Sequence, residues 1–158
     1  MATNLHQVKT LCFVFDPEND LILLQQYGTG KYARKHSGIE ADCYSQDDLA
    51  NSSQEAVQKQ SGLDVGNMKL RGIIKNIDLA EDESSLVFVY EAEYIHGELQ
   101  QEAEGRLKWV EVLNLFNLKF TPQVKVIISH LLDSETFFEA FFEEDEHGQL
   151  VRQDVHIG

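Results

Sequence analysis

The side chains best placed to do chemistry lie between Gly38 and Leu63, in GIEADCYSQDDLANSSQEAVQKQSGL. Glu40, Asp42, Asp47 and Asp48 crowd its first half. Carboxylates gathered in this way could hold a divalent cation. They equally suit a solvated loop leading to the positive end of a helix dipole, the commoner arrangement in a chain rich in acid. Lys59 follows Glu55 by one helical turn. Its ammonium could grip a phosphate or carboxylate, or it could pair with Glu55 on the helix surface, worth about 0.3 kcal/mol. Lys31, Arg34, Lys35 and His36 could add a positive rim, or form an exposed loop of mixed charge. His96, His130 and His147 lack HxxxH or HxH spacing, so with two distant cysteines there is no zinc signature. Ser37-Gly38 and Ser61-Gly62 lack the G-x-S-x-G setting of a nucleophile elbow.

These residues must be positioned by elements that the pattern makes legible. Acidic residues at Gln46 to Asp48 predict a helix start, and Gly62 predicts its end at a C′ position. Before it, KTLCFVF (9–15) and Leu21 to Gln26 predict two antiparallel strands across the turn Asp16-Pro17-Glu18-Asn19-Asp20. After it, Leu70 to Leu79 and Ser85 to Tyr94 flank the acidic turn AEDES; the second alternates like a half-buried strand. Arg106 to Val110 is a short strand holding Trp109, read as core, and Glu111 to Asn117 supplies one or two helical turns. Thr121-Pro122 predicts a capped helix with Val124, Ile127, Ile128 and Leu131 on one face. The tail predicts a hairpin turning near His147-Gly148, with Phe137, Phe138, Phe141 and Phe142 placing one side in the core or at a dimer interface.

Composition narrows the function. The chain has 158 residues, 42% hydrophobic and 25% charged, which fits one globular domain over 1–158. With 27 acidic and 13 basic side chains the formal charge is -14. That excludes generic binding to nucleic-acid polymers or anionic membranes. No apolar run reaches membrane-spanning length, and MATNLHQVKT has no signal-peptide core. Two cysteines imply no disulfide framework, so a reducing cytoplasm is the expected setting. The self-repulsion of so acidic a surface could be offset by a homodimer interface or bound cations.

The ending EAVQKQSGL falls into the register of the Nudix box, G-x5-E-x7-R-E-U-x-E-E-x-G-U, with Val57, Gly62 and Leu63 matching. HGELQQEAEGRLKWVEVLNL and FFEAFFEEDEHGQLVRQDV resemble the acidic loop, Trp strand and C-terminal hairpin of the oxidised-purine nucleotide diphosphatase branch. The whole chain thus resembles Nudix (MutT-like) hydrolases. The resemblance implies an α+β fold, an α/β/α sandwich with a mixed sheet flanked by helices. It also implies Mg²⁺ or Mn²⁺ held by glutamates on one helix face, bridging a diphosphate while water attacks phosphorus.

The charged box positions depart from that pattern. Glu55 stands where the box has Arg, and Ala56, Lys59 and Gln60 stand where it has Glu. That face offers no anion, one cation and one amide. Near Pro122, where the branch carries paired Asp, this chain has Gln123 and Val124. The favoured expectation is therefore a degenerate active site: no metal cofactor, no metal-dependent diphosphatase activity, and a binding module for a nucleotide, another small anion or a partner. Lys59, Gln60, Ala56 and Gln123 are its expected pocket residues. The alternative is an active hydrolase of a nucleoside diphosphate derivative, its Mg²⁺ or Mn²⁺ held by the relocated acids Glu40, Asp47 and Glu104. A third reading is a regulatory dimer with a vestigial pocket.

Overall fold

The computed structural model describes residues 6–100 and 106–158. Its elements are β1 (His6–Asp16), β2 (Leu21–Gln26), β3 (His36–Ser37), β4 (Ile39–Asp42), α1 (Leu49–Ser61), β5 (Asp64–Asp78) and β6 (Glu83–His96). There follow β7 (Leu107–Glu111), a 3-10 helix (Val112–Asn117), α2 (Pro122–Asp133), β8 (Phe138–Glu144) and β9 (Leu150–Ile157). The strands run β3-β2-β1-β6-β5-β8-β9 in one mixed sheet, with β4 on β1 and β7 on β2. The expected sandwich is what forms, and no helix is long and apolar enough to cross a membrane.

Strand alternation builds a core on each face. Leu11, Phe13, Ile22, Leu24 and Val89 pack with Val124, Ile127, Ile128 and Leu131 of α2. Their neighbours Cys12, Val14, Leu23, Tyr90 and Ala92 pack with Val57 of α1 on the other face. β6, expected to be half-buried, is therefore covered on both sides at its centre. Phe138 and Phe142 are fully buried and Phe141 is not, so the C-terminal hairpin puts one side in the core as expected. Trp109 is half-buried, its ring edge-on to Tyr94 at 5.5 Å.

α1 begins and ends where expected: Asp48 Oδ1 accepts the Asn51 N–H at 3.0 Å, and Gly62 takes φ 79°. Thr121 is the N-cap of α2 ahead of Pro122, but its side chain makes no capping bond and is buried.

β1 forks. Val14 to Asp16 pair with β2, whereas Lys9 to Cys12 pair with β4. The fork is held by the Gln25 side-chain amide donating to the Gly38 carbonyl at 2.7 Å. A Cβ at Gly38 would sit 2.6 Å from the Cys12 carbonyl oxygen, so only glycine permits this approach. Leu11 and Glu40 face each other across the fork.

Neither cysteine is in a disulfide, and Cys12 is buried while Cys43 is partly exposed. Burial pushes the Cys12 thiol up to about 12. A thiol reagent should thus titrate one cysteine in the native protein and the second only in denaturant. Equal native rates would mean that β1 opens readily.

Candidate functional site

The fork opens a cleft of about 140 Å³ on the α2 side of the sheet. Lys9 and Leu11 of β1, Glu40 of β4, Asn76 of β5, Thr121 and Gln123 at the start of α2, and Glu144 of β8 line it, with Tyr27 and Tyr32 from the loop after β2. That loop is closed by backbone bonds from Tyr27 N–H to the Lys35 carbonyl (3.0 Å) and from Arg34 N–H to the Tyr27 carbonyl (2.7 Å). Its two tyrosine rings lie 6.0 Å apart.

One wall is a closed polar network around Glu144, which is 3% exposed. Its carboxylate accepts from Asn76 Nδ2 at 3.1 Å, Gln123 Nε2 at 3.2 Å and the Tyr32 hydroxyl, and pairs with Lys31 Nζ at 3.2 Å. Lys31 also reaches Asp78 at 2.9 Å. Burial, then the Glu144 carboxylate, push the Tyr32 phenol far above its ordinary range, so it stays a donor. Burial is the largest single influence on Lys31 and Asp78 and opposes both charges, but it is outweighed by their mutual bond together with Glu144 beside Lys31 and the Glu81 and Ala80 N–H groups on Asp78; the ammonium is raised and the carboxyl lowered.

The opposite wall carries an ion pair. Lys9 Nζ lies 3.0 Å from Glu40 Oε1, and the Tyr27 hydroxyl reaches Glu40 Oε2 at 3.5 Å. Burial alone would lower the Lys9 pKa, but the charge and hydrogen bond of Glu40, with the charges of Asp42 and Glu83, together outweigh it and hold the ammonium above its ordinary value.

Of the four expected pocket residues, Gln123 lines this cleft. Lys59 does not: it is exposed on α1 and makes no ion pair with Glu55, because a solvated pair at that spacing gains too little to hold two long side chains together. Ala56 is half-buried away from the cleft. Gln60 stops behind the cleft wall, its Nε2 donating to the Glu40 carbonyl at 3.2 Å. The cation that lines the cleft is Lys9.

The relocated acids are not brought together. Glu40 is in the cleft, whereas Asp47 accepts the Tyr44 N–H at 3.3 Å and lines a separate groove with Asp42 and Cys43. Asp48 is spent on the α1 cap. Glu104 lies outside the described residues. Lys31 and Arg34 are exposed, as the mixed-charge loop reading has them, and Lys31 is neutralised by Asp78 and Glu144. His36 is buried against the Lys119 carbonyl, and burial drives its imidazole below 6.5.

Lys9, Tyr27, Tyr32, Asn76 and Glu144 are site residues that sequence reasoning missed. A signal for Glu144 existed: it continues the period-two series Phe138, Ala140, Phe142, whose face is the core.

The donor set does not fit a divalent metal at the box positions. Ala56 has no ligand atom, Lys59 is a cation, and Gln60 donates its N–H to the Glu40 carbonyl. Among the described residues no three His, Cys, Asp or Glu side chains converge.

No protein-family model and no curated sequence matches the chain. Solved structures do. The mutator MutT protein of Bacillus halodurans superposes with TM-score 0.82 at 22% identity, over 94% of this chain and 97% of that one. A MutT Nudix hydrolase of Burkholderia pseudomallei gives 0.68 at 16%, over 78% and 96%. The Nudix domain of Shewanella oneidensis NrtR, complexed with ADP ribose, gives 0.65 at 12%, over 84% and 89%. What is shared at these identities is the architecture: the chain has the fold of the Nudix hydrolases.

Proposed function

We propose that this chain is a Nudix-fold binding module for a nucleotide-like ligand and lacks metal-dependent diphosphatase chemistry. The observation that carries this is the fate of the box positions. Glu40 is neutralised by Lys9, and Gln60 donates an N–H to the Glu40 carbonyl. A glutamate at position 60 would set two oxygens against each other unless a cation lay between them; a glutamine needs none.

The cleft supports the choice of ligand. At about 140 Å³ it is smaller than most small-molecule sites, so it suits one flat ring and not a whole nucleotide. Tyr27 and Tyr32 offer aromatic faces, Gln123 offers its amide oxygen while its Nε2 and the Asn76 amide hold the Glu144 network, and Lys9, paired with Glu40, is the cation of the cleft lining. Two carboxylates in the walls disfavour placing a polyphosphate inside. A Nudix domain complexed with ADP ribose shares the fold, which favours nucleotides over other small anions.

The test is calorimetry against nucleosides, nucleotides and ADP-ribose, with Mg²⁺ or with chelator. Binding should be metal-independent, and Gln123→Ala should weaken it by about tenfold, the loss of one good hydrogen bond. Metal-dependent turnover that Glu40→Gln or Asp47→Asn abolishes would instead establish the alternative, a hydrolase using Glu40, Asp47 and Glu104.

A further inference from the structure

β9 ends the sheet, and no described strand pairs with its outer side. A strand of this length without proline is a template for another strand. Its outward backbone groups can be assigned. The Gly158 N–H donates to the Phe137 carbonyl at 3.0 Å, and the register runs unbroken from Phe138 opposite Ile157 to Glu143 opposite Arg152. Bonded and non-bonded pairs alternate along an antiparallel ladder. Arg152, Asp154 and His156 therefore turn their backbone groups toward β8, and Gln153, Val155 and Ile157 turn theirs outward.

We infer that β9 pairs antiparallel with β9 of a second copy, about a two-fold axis through Gln153. The segment Val151-Arg152-Gln153-Asp154-Val155 is complementary to itself in that register. Gln153 meets Gln153 through outward-facing backbone groups, Val151 meets Val155, and Arg152 meets Asp154 on both sides of the axis. The charged pairs fall at non-bonded positions, where side chains stand closest. Shifting the axis to Arg152 or Asp154 sets like charges opposite each other. Shifting it to Val151 or Val155 leaves Arg152 facing Leu150, or Asp154 facing His156. The register at Gln153 is thus the one that sets two Arg–Asp pairs opposite each other.

The side chains stay within reach of these partners, although the Arg152 guanidinium also lies over the Phe141 ring at 4.9 Å. Arg152 and Asp154 are 61% and 47% exposed and share one face of β9. Arg152 touches its own Asp154 at 3.2 Å and Glu143 at 3.6 Å, which leaves guanidinium donors for the second copy. Pairing also covers Val151, exposed at 59%. This reading does not depend on the ligand proposed above.

Sedimentation equilibrium of the full chain over a concentration series tests it. A reversible dimer is expected. Arg152→Asp or Asp154→Arg alone should raise the dissociation constant by about tenfold or more, since each sets like charges opposite one another. The double swap R152D/D154R should restore it, because opposite charges face each other again. Gln153→Pro removes an outward N–H without touching the ladder to β8, so it should abolish the dimer and keep the monomer's circular dichroism. A chain that stays monomeric throughout the series overturns the inference. So does a dimer indifferent to both the single swaps and Gln153→Pro.

Discussion

Arg71→Ala is expected to lower the unfolding free energy by about 3–5 kcal/mol, the cost of removing one partner from a buried charged network. Arg71 is 2% exposed, the largest fully buried side chain among the described residues. Its guanidinium lies 2.5 Å from Glu91 and donates to the carbonyls of Leu131 (3.3 Å), His130 (3.1 Å) and Ser134. Those carbonyls belong to the last turn of α2 and its C-cap, where helix geometry leaves acceptors without partners and the dipole favours a cation. Alanine strands these acceptors and leaves a void beneath the helix. Glu91 is 28% exposed and can rehydrate, so most of the loss falls on the α2 terminus. Glu91→Gln should therefore cost much less, about 1 kcal/mol. For a chain of this length the alanine variant should melt about ten degrees lower or more. Urea unfolding of both variants checks this; equal, small losses would mean that the helix end is held by something else.

Glu144→Ala is expected to cost about 3 kcal/mol, because the buried donors of Asn76, Gln123 and Tyr32 lose their common acceptor at once. Lys31 keeps Asp78, so it is not stranded. The loop after β2 should loosen as well, seen as faster hydrogen exchange at Arg34 and Tyr27, whose N–H groups close it. The Lys31–Asp78 bond gives the companion result in pH. The Asp78 carboxyl is lowered on folding, so its contribution is full above the ordinary value of 3.8 and disappears as pH falls through the lower folded value. The Lys31 ammonium is raised, so its contribution is full below 10.5 and disappears as pH rises through the higher folded value. The stability deficit of Lys31→Met should hence be constant from about pH 4 to 10 and shrink below that window. Calorimetric scans across pH compare the two proteins; a deficit that persists undiminished at low pH would rule out the ion pair as its source.

Local chemistry made much of this protein legible. Asp48 and Gly62 bound α1 because a cap acceptor and a left-handed residue are needed wherever a helix starts and stops. The hairpin turn at Gly148, with φ 74°, and Pro122 at the start of α2 are equally local. That Ala56, Lys59 and Gln60 carry no carboxylate is likewise a matter of residue identity: no arrangement of the three supplies three anionic oxygens.

Tertiary structure decided what local pattern leaves free. Simple alternation along β5 gives no reason to bury Arg71 while leaving Leu70 exposed. A register shift between Leu70 and Gly72 leaves Arg71 without a backbone register partner on β6 and turns it under α2, beside a glycine whose Cβ would strike the Phe138 ring at 2.5 Å. The cleft likewise depends on where β1 forks, since Lys9, Asn76, Gln123 and Glu144 lie far apart in the chain and meet through register alone. Lys59, close in sequence to the expected site, is turned to solvent because one face of α1 must cover Cys12, Val14 and Leu23. Helix spacing says which side chains share a face; the core that claims the apolar face says which way the others point.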